Sequence, residues 1–314
     1  YFGDAQVAVA DSCGGIKAMP RMAIDVFKLF KNCENIIMMP AYKGLRVFAP
    51  LFLIYNKFYH RKVHYIVIGG WLDSFLNEHK WLVRLLKKFD AIYVESDMMK
   101  SALQRRGFEN AVVMYNFKEL EPLAESDIEY PKSEPYKLCT FSRVMKEKGI
   151  EDAINAVESV NAHFGRTVYT LDIFGQVDVE YKERFSQLEK SFPDYISYGG
   201  AIEANKSVET LKSYFALLFP TYYKGEGFAG TLIDAMSAGV PVIASDWKYN
   251  PEFVVPGNTG VIIKNCNAER LAEELINIVA APEKWNSMRL SALKESEKYK
   301  PDIAARPFID RING

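Results

Sequence analysis

The stretch FPTYYKGEGFAGTLIDAMSAGVPVIA, residues 219–244, decides how this chain reads. Apolar residues ending at Pro220 form a strand, a glycine-rich loop follows, a helix opens near Gly230, and a second strand covers residues 240–244. A glycine-rich turn into a helix leaves backbone N–H groups free at the positive end of the helix dipole, which is a ready anion site. Glu226 and Asp234 bracket that turn with seven residues between them. Helical spacing sets Asp234 about one turn into the helix.

Outward from this stretch, short β-branched runs alternate with longer amphipathic segments along the 314 residues, the pattern of βαβ units around parallel sheets. On the N-terminal side, strands are expected at 7–10, 36–39, 65–68, 91–94 and 111–114, with a helix over 19–30. Residues 118–136 are rich in Glu, Pro and Ser without an apolar period and predict a linker. The alternation then restarts, with strands at 137–141, 169–174, 196–198, 216–220 and 260–263 and helices at 149–162, 180–191, 231–238 and 268–279. The expected fold is therefore α/β, two tandem Rossmann-like domains spanning 1–134 and 135–314. A terminal helix or tail from about residue 295, carrying Pro301 and Pro307, leaves the second sheet and is expected to return to the first domain.

Composition sets the class. With 49% apolar and 25% charged residues the chain is globular and has no long disordered tail. A net charge of -1 argues against a general nucleic-acid binder, yet the charge is unevenly placed. Residues 1–118 hold 17 basic and 10 acidic side chains, a surplus of +7, and the remainder holds 22 and 30, or -8. One domain then faces an anionic surface or ligand, or the two simply carry unequally charged solvated faces. Cys13, Cys33, Cys139 and Cys266 lie far apart with no C-x-x-C pair and no His cluster, which speaks against structural zinc and a disulfide scaffold. They read as reduced thiols of a cytoplasmic protein. No stretch approaches the roughly 20 apolar residues of a membrane-spanning helix, and no signal peptide is visible. The chain starts at Tyr1 instead of Met, so a short leading segment is expected ahead of it.

A second block, FSRVMKEKGIEDAINA at 141–156, places Arg143 and Lys148 in the loop after the second domain's first strand. Two cations five residues apart can grip both phosphates of a diphosphate. Together the two blocks resemble the signature of family 4 glycosyltransferases, P-S-x-x-E-G-F-G with a second acidic residue and A-M-A-x-G-x-P-V-I-A, preceded by G-R-x-x-x-x-K-G. The resemblance implies a GT-B fold, whose two Rossmann-like domains face a cleft. It also implies a retaining, metal-independent transferase that moves a hexose-type sugar from a UDP- or GDP-sugar to a saccharide or lipid-linked saccharide, in bacterial-type surface polysaccharide synthesis. By the same resemblance Glu226, Arg143 and Lys148 are catalytic, with Glu226 on the donor sugar hydroxyls and the two cations on the departing diphosphate. Asp234 falls to the ribose, and Phe228, Ala229, Gly230, Thr231 and Leu232 to the donor. Three glycine turns resemble further family elements: Gly14 and Gly15 after the first strand, Gly175 at a strand end, and the loop at Ala201 and Ile202 beside the donor base.

There are departures from the pattern. Asp234 replaces the commoner Glu, Ala229 stands where glycine is usual, and the loop with Trp71 and Asp73 lacks the His that many members carry there. Asp73 and Trp71 are then the acceptor-side candidates. Residues 43–62 interleave Lys43, Arg46, Lys57, Arg61 and Lys62 with aromatic and aliphatic side chains, which suits either lying on an anionic membrane face or forming a core helix. Two rivals remain, a nucleotide-sugar epimerase of GT-B type and a non-catalytic nucleotide-sugar-binding subunit. Donor base, sugar, acceptor, linkage and oligomeric state are not legible at this level.

Overall fold

The computed structural model describes residues 7–10 and 19–314. The chain divides into two compact units, Tyr1–Tyr115 with Ala305–Gly314, and Asn116–Ala304.

In the first unit the order is α1 (Met19–Asn32), β1 (Asn35–Met38), α2 (Tyr42–Tyr59), β2 (Lys62–Ile66), α3 (Leu72–Glu78), α4 (Lys80–Leu86), β3 (Ala91–Val94), α5 (Asp97–Arg105) and β4 (Ala111–Val113). The four strands form a parallel sheet in the order β1-β2-β3-β4. Parallel neighbours need a crossover between them, which is why helices separate the strands, and helices on the sheet faces explain why all of β3 is buried. Ser96 caps α5 by accepting from the Met99 amide at 3.1 Å.

Residues 7–10 were expected to begin this sheet. They take no regular structure; Val7 and Val9 are 77% and 84% exposed. Alternating Val and Ala favours extended backbone, but a strand exists only where a neighbour supplies ladder partners, and these residues have none among those described. The stretch 43–62 is mostly α2, an 18-residue helix that buries Leu45, Ala49 and Phe52. Phe52 meets Phe30 of α1 edge-on at 5.4 Å. Arg61 donates to the carbonyls of Phe30 and Lys31, neutralising the C-terminal end of α1. Ile54 and Phe58 remain exposed. No helix among the described residues is long and apolar enough to cross a membrane.

The second unit runs β5 (Tyr136–Phe141), α6 (Ile150–Phe164), β6 (Tyr169–Phe174), α7 (Lys182–Glu189), β7 (Ile196–Gly200), α8 (Ser207–Leu211), β8 (Ala216–Phe219), α9 (Gly230–Ser237), β9 (Val242–Ser245), α10 (Asn250–Phe253), β10 (Gly260–Ile263), α11 (Ala268–Val279), α12 (Pro282–Asn286), α13 (Met288–Ser296) and α14 (Pro301–Ala304). Its six parallel strands lie in the order β7-β6-β5-β8-β9-β10. Winding proceeds outward from β5 in one direction, then resumes at β8 and proceeds in the other, which is the doubly wound Rossmann order. The core joins β5, β6, α6 and α11 through Leu138, Leu171, Val157 and Leu275, all fully buried.

The segment read as a linker belongs with this second unit. Leu123 N–H donates to the Ser237 carbonyl at 2.8 Å, Asn286 donates to the Pro131 carbonyl at 2.9 Å, and Ile128 is buried. A chain without helical or strand period can still be pinned by its own amides and carbonyls. The terminal helix α15 (Arg306–Asn313) belongs to the first unit, where Phe308 packs edge-on against Tyr93 at 5.2 Å. Cys33, Cys139 and Cys266 are free thiols, and Cys13 lies outside the described residues.

His64 of β2 is buried within the first unit, its ring between Asn35 Oδ1 at 3.4 Å and the Tyr93 hydroxyl at 3.3 Å. A neutral imidazole satisfies both contacts. Burial holds its pKa below the ordinary 6.5, while Asp90 pulls the other way. Below about pH 6.5 the unfolded chain takes up a proton that the native site resists, so stability falls as pH drops through that value. The urea midpoint should decline between pH 7.5 and 5.5 more steeply in wild type than in His64→Gln; equal slopes would remove His64 as the cause.

Candidate functional site

Where the winding of a parallel sheet reverses, the loops leaving two neighbouring strands diverge and a crevice opens at their C-terminal ends. Here the reversal lies between β5 and β8, and a crevice of about 580 Å³ opens there. Two glycines set its walls. Gly175, after β6, has φ +138°, and a Cβ there would stand 1.8 Å from the Ser142 carbonyl oxygen. Only glycine lets the ends of β5 and β6 approach this closely, which places Ser142 and Arg143 on the rim. Gly149 has φ +72°, and its Cβ would stand 2.4 Å from the Pro220 carbonyl oxygen. The loop after β5 is thereby set against the loop after β8.

That second contact brings Lys148 to Glu226. The ammonium donates to both carboxylate oxygens, at 2.9 and 2.7 Å, and also lies over the rings of Phe219 and Tyr223 at 5.2 and 5.4 Å. Glu226 is buried and accepts a further hydrogen bond from the Thr221 hydroxyl at 2.8 Å. Arg143 is different. Its side chain is more than half exposed, with Asp178 at 3.6 Å as its ion-pair partner, and it stands on the rim of the crevice. Lys248 lies within electrostatic reach of Glu226; burial pushes its ammonium pKa down and the carboxylate opposes that.

The N-terminus of α9 forms the floor. Ala229 gives this helix no side-chain cap, and its first turn holds no acidic residue. Gly230 and Thr231 line the crevice, and the Thr231 hydroxyl is buried without a hydrogen-bond partner. One turn on, Asp234 is 1% exposed with both carboxylate oxygens engaged, Oδ1 by the Ser207 hydroxyl at 2.8 Å and Oδ2 by Lys118 Nζ at 2.5 Å.

Of the residues singled out in the sequence, the crevice brings together Glu226, Lys148, Arg143, Asp234, Ala229, Gly230, Thr231, Gly175, Ala201 and Ile202. Phe228 and Leu232 are turned into the core, Phe228 stacking on Phe253 at 3.6 Å. Gly14 and Gly15 lie outside the described residues. In the first unit, Asp73 is held by Arg106 at 2.6 Å and Trp71 is buried, its indole N–H donating to the Ile68 carbonyl at 2.8 Å. The Trp71 ring supports Tyr42 in a stack at 4.4 Å, and Tyr42 opens a second pocket of about 590 Å³ lined by Lys43, Arg46, Phe75 and Glu78.

Sequence reading missed Thr221, Lys118 and Lys248. Thr221 had a signal, the hydroxyl position next to Pro220 in the motif. Lys118 and Lys248 had none, because each meets its partner only through folding.

The profile of glycosyl transferases group 1 matches residues 124–295, more than half of the chain. Over 178 residues the chain is 30% identical to the GtfA subunit of the UDP-N-acetylglucosamine–peptide N-acetylglucosaminyltransferase of Streptococcus gordonii, covering 54% of this chain and 34% of that protein. It is 24% identical over 213 residues to the lipopolysaccharide core biosynthesis mannosyltransferase LpcC of Rhizobium leguminosarum, covering 65% of this chain and 57% of that one. The chain spans between 34% and 50% of the length of the first curated relatives it matches. The solved structure of Anabaena HepE in complex with UDP superposes with a TM-score of 0.76 at 16% identity, over 93% of this chain and 82% of that one. A likeness at that identity shows a shared fold, the GT-B fold of two Rossmann-like units. By the profile match the chain belongs to the glycosyl transferases group 1 family.

Proposed function

We propose that the second unit binds a nucleotide diphosphate sugar, UDP- or GDP-linked, and that the chain transfers its hexose-type sugar with retention of configuration. The acceptor is a saccharide or lipid-linked saccharide, in surface polysaccharide synthesis. The observation that carries this reading is the Lys148–Glu226 pair, set at the switch point of a doubly wound sheet above the uncapped start of α9. A diphosphate needs positive charge without a bulky cap, and the helix N-terminus with Lys148 and Arg143 supplies it. A sugar needs a fixed acceptor for its hydroxyls, and Glu226 is fixed by two partners. The relatives support the reading, since the S. gordonii subunit bears the name of a UDP-N-acetylglucosamine enzyme and HepE was crystallised with UDP.

In this reading the base lies by Ala201 and Ile202, the ribose beside Asp234, and the phosphates over Gly230 and Thr231. As the bond from the anomeric carbon to the leaving oxygen breaks, negative charge builds on the diphosphate. Lys148, Arg143 and the α9 dipole then stabilise it more strongly than in the ground state. Because these groups are the cationic partners, turnover is expected to be independent of a divalent metal. Tyr42, stacked on Trp71, offers an aromatic face to an acceptor in the first unit, and Asp73 acts there by holding Arg106.

Two outcomes check the proposal. In a thermal-shift and hydrolysis screen against UDP-, GDP-, ADP- and dTDP-sugars, one base should stabilise the protein, by about 2.7 kcal/mol at a hundredfold excess over Kd. Slow donor hydrolysis should persist in EDTA. No shift with any donor would sink the nucleotide-sugar reading, and EDTA-sensitive turnover would sink the metal-free one. Second, Glu226→Gln and Lys148→Met should each lower donor turnover by about 10²-fold or more. Their stability effects should be coupled by about 1–3 kcal/mol in a double-mutant cycle; additive effects would show that the pair does not act as a unit.

A further inference from the structure

We infer that Lys118 is a phosphate-binding residue of this site, held in place by Asp234, so that Asp234 acts on the ligand through the cation it positions. The inference rests on the reading of the crevice as a nucleoside diphosphate site and names a residue that the sequence motifs do not contain.

Several observations converge on it. Lys118 lines the crevice, and its side chain is one-third exposed, whereas the Asp234 side chain is 1% exposed. The exposed partner of the pair is therefore the cation. Asp234 is itself fixed, because the Ser207 hydroxyl occupies its other oxygen at 2.8 Å. An anchored carboxylate 2.5 Å from Lys118 Nζ determines where that ammonium stands. An ammonium has three donors, and Asp234 takes one, leaving donors for a ligand.

The stem of Lys118 also crosses the first residue of α9. A Cβ on Gly230 would lie 2.8 Å from Lys118 Cε and 3.3 Å from its Nζ, so the end of the lysine rests against Gly230. That brings the ammonium to a helix start with no side-chain cap and no acid in its first turn. Beside it the Thr231 hydroxyl, 8% exposed, lacks any hydrogen-bond partner. A buried hydroxyl without a partner, an uncapped helix start and a tethered ammonium make one set of donors, and the ligand chemistry that fills such a set is a phosphate group. A ribose hydroxyl can bond the same ammonium, but it is neutral and a weaker partner for the charge than a phosphate.

Binding of UDP, GDP, uridine and guanosine to the whole chain separates the possibilities. Lys118→Met should weaken whichever diphosphate binds wild type by about 10-fold to 100-fold, the scale of one charge-assisted hydrogen bond. The matching nucleoside should stay within about twofold, and Lys118→Arg should recover part of the loss. Lys118→Met leaves Asp234 buried and unpaired. The double variant Lys118→Met with Asp234→Asn removes that charge and should show the same selective loss if the single variant does not fold. Unchanged diphosphate binding, or an equal loss for nucleoside and diphosphate, would overturn the role of Lys118. If wild type binds neither diphosphate, the nucleotide reading of the crevice fails instead.

Discussion

Lys148 and Glu226 meet 2.7 Å apart with side chains only 11% and 7% exposed, and neither charge is tolerable there without the other. Their pairing is a consequence of sheet topology. Lys148 follows β5 and Glu226 follows β8, strands that are neighbours because the winding restarts on the far side of β5. The close approach of Gly149 to the Pro220 carbonyl then fixes the distance between the two loops. The pair also governs what may enter. Glu226 is already neutralised by Lys148 and bonded by Thr221, so on the proposed reading a diphosphate would meet no uncompensated acid and would find a lysine that can be shared.

How much of this was legible depends on the range of the interaction involved. Strands 169–174 and 260–263 and helix 268–279 coincide with β6, β10 and α11, because each buries a local apolar period in a sheet covered on its faces. The Glu226 block was legible because strand, turn and helix are contiguous in the chain. Residues 7–10 carried the same local signal as β6, but lack a ladder partner among the described residues. The segment 118–136, read as a linker, shows the opposite case. It has no period, yet the second unit holds it through the Ser237 carbonyl and Asn286. Asp234 was correctly placed on its helix, while its partners, 27 and 116 residues away, follow only from the tertiary fold.

The basic surplus of residues 1–118 shows why charge counts translate poorly into binding surfaces. Arg61 caps α1 and Arg106 braces Asp73, both within the first unit. Lys118 works in the second unit, on Asp234. Cations that a tally assigns to an anionic partner are in part consumed by helix ends and carboxylates of the chain itself. The acidic surplus of the remainder is likewise reduced where Glu226 and Asp234 sit, since both are paired.

The departure from the family pattern at Asp234 acquires a physical meaning once its neighbours are considered together. Lys118 Nζ lies 2.5 Å from Oδ2 and the Ser207 hydroxyl holds Oδ1, so both oxygens of the carboxylate are engaged. The short acid, the lysine and Gly230 under the end of its side chain thus form one contact group. On the proposed reading the pair turns its more exposed partner, the cation, to the ligand, beside a helix start that already favours anions. Losing Lys118 alone would leave the buried Asp234 charge without its cation, whereas the lysine, one-third exposed, tolerates loss of the acid more readily, so the constraint runs from residue 234 to the cation beside it.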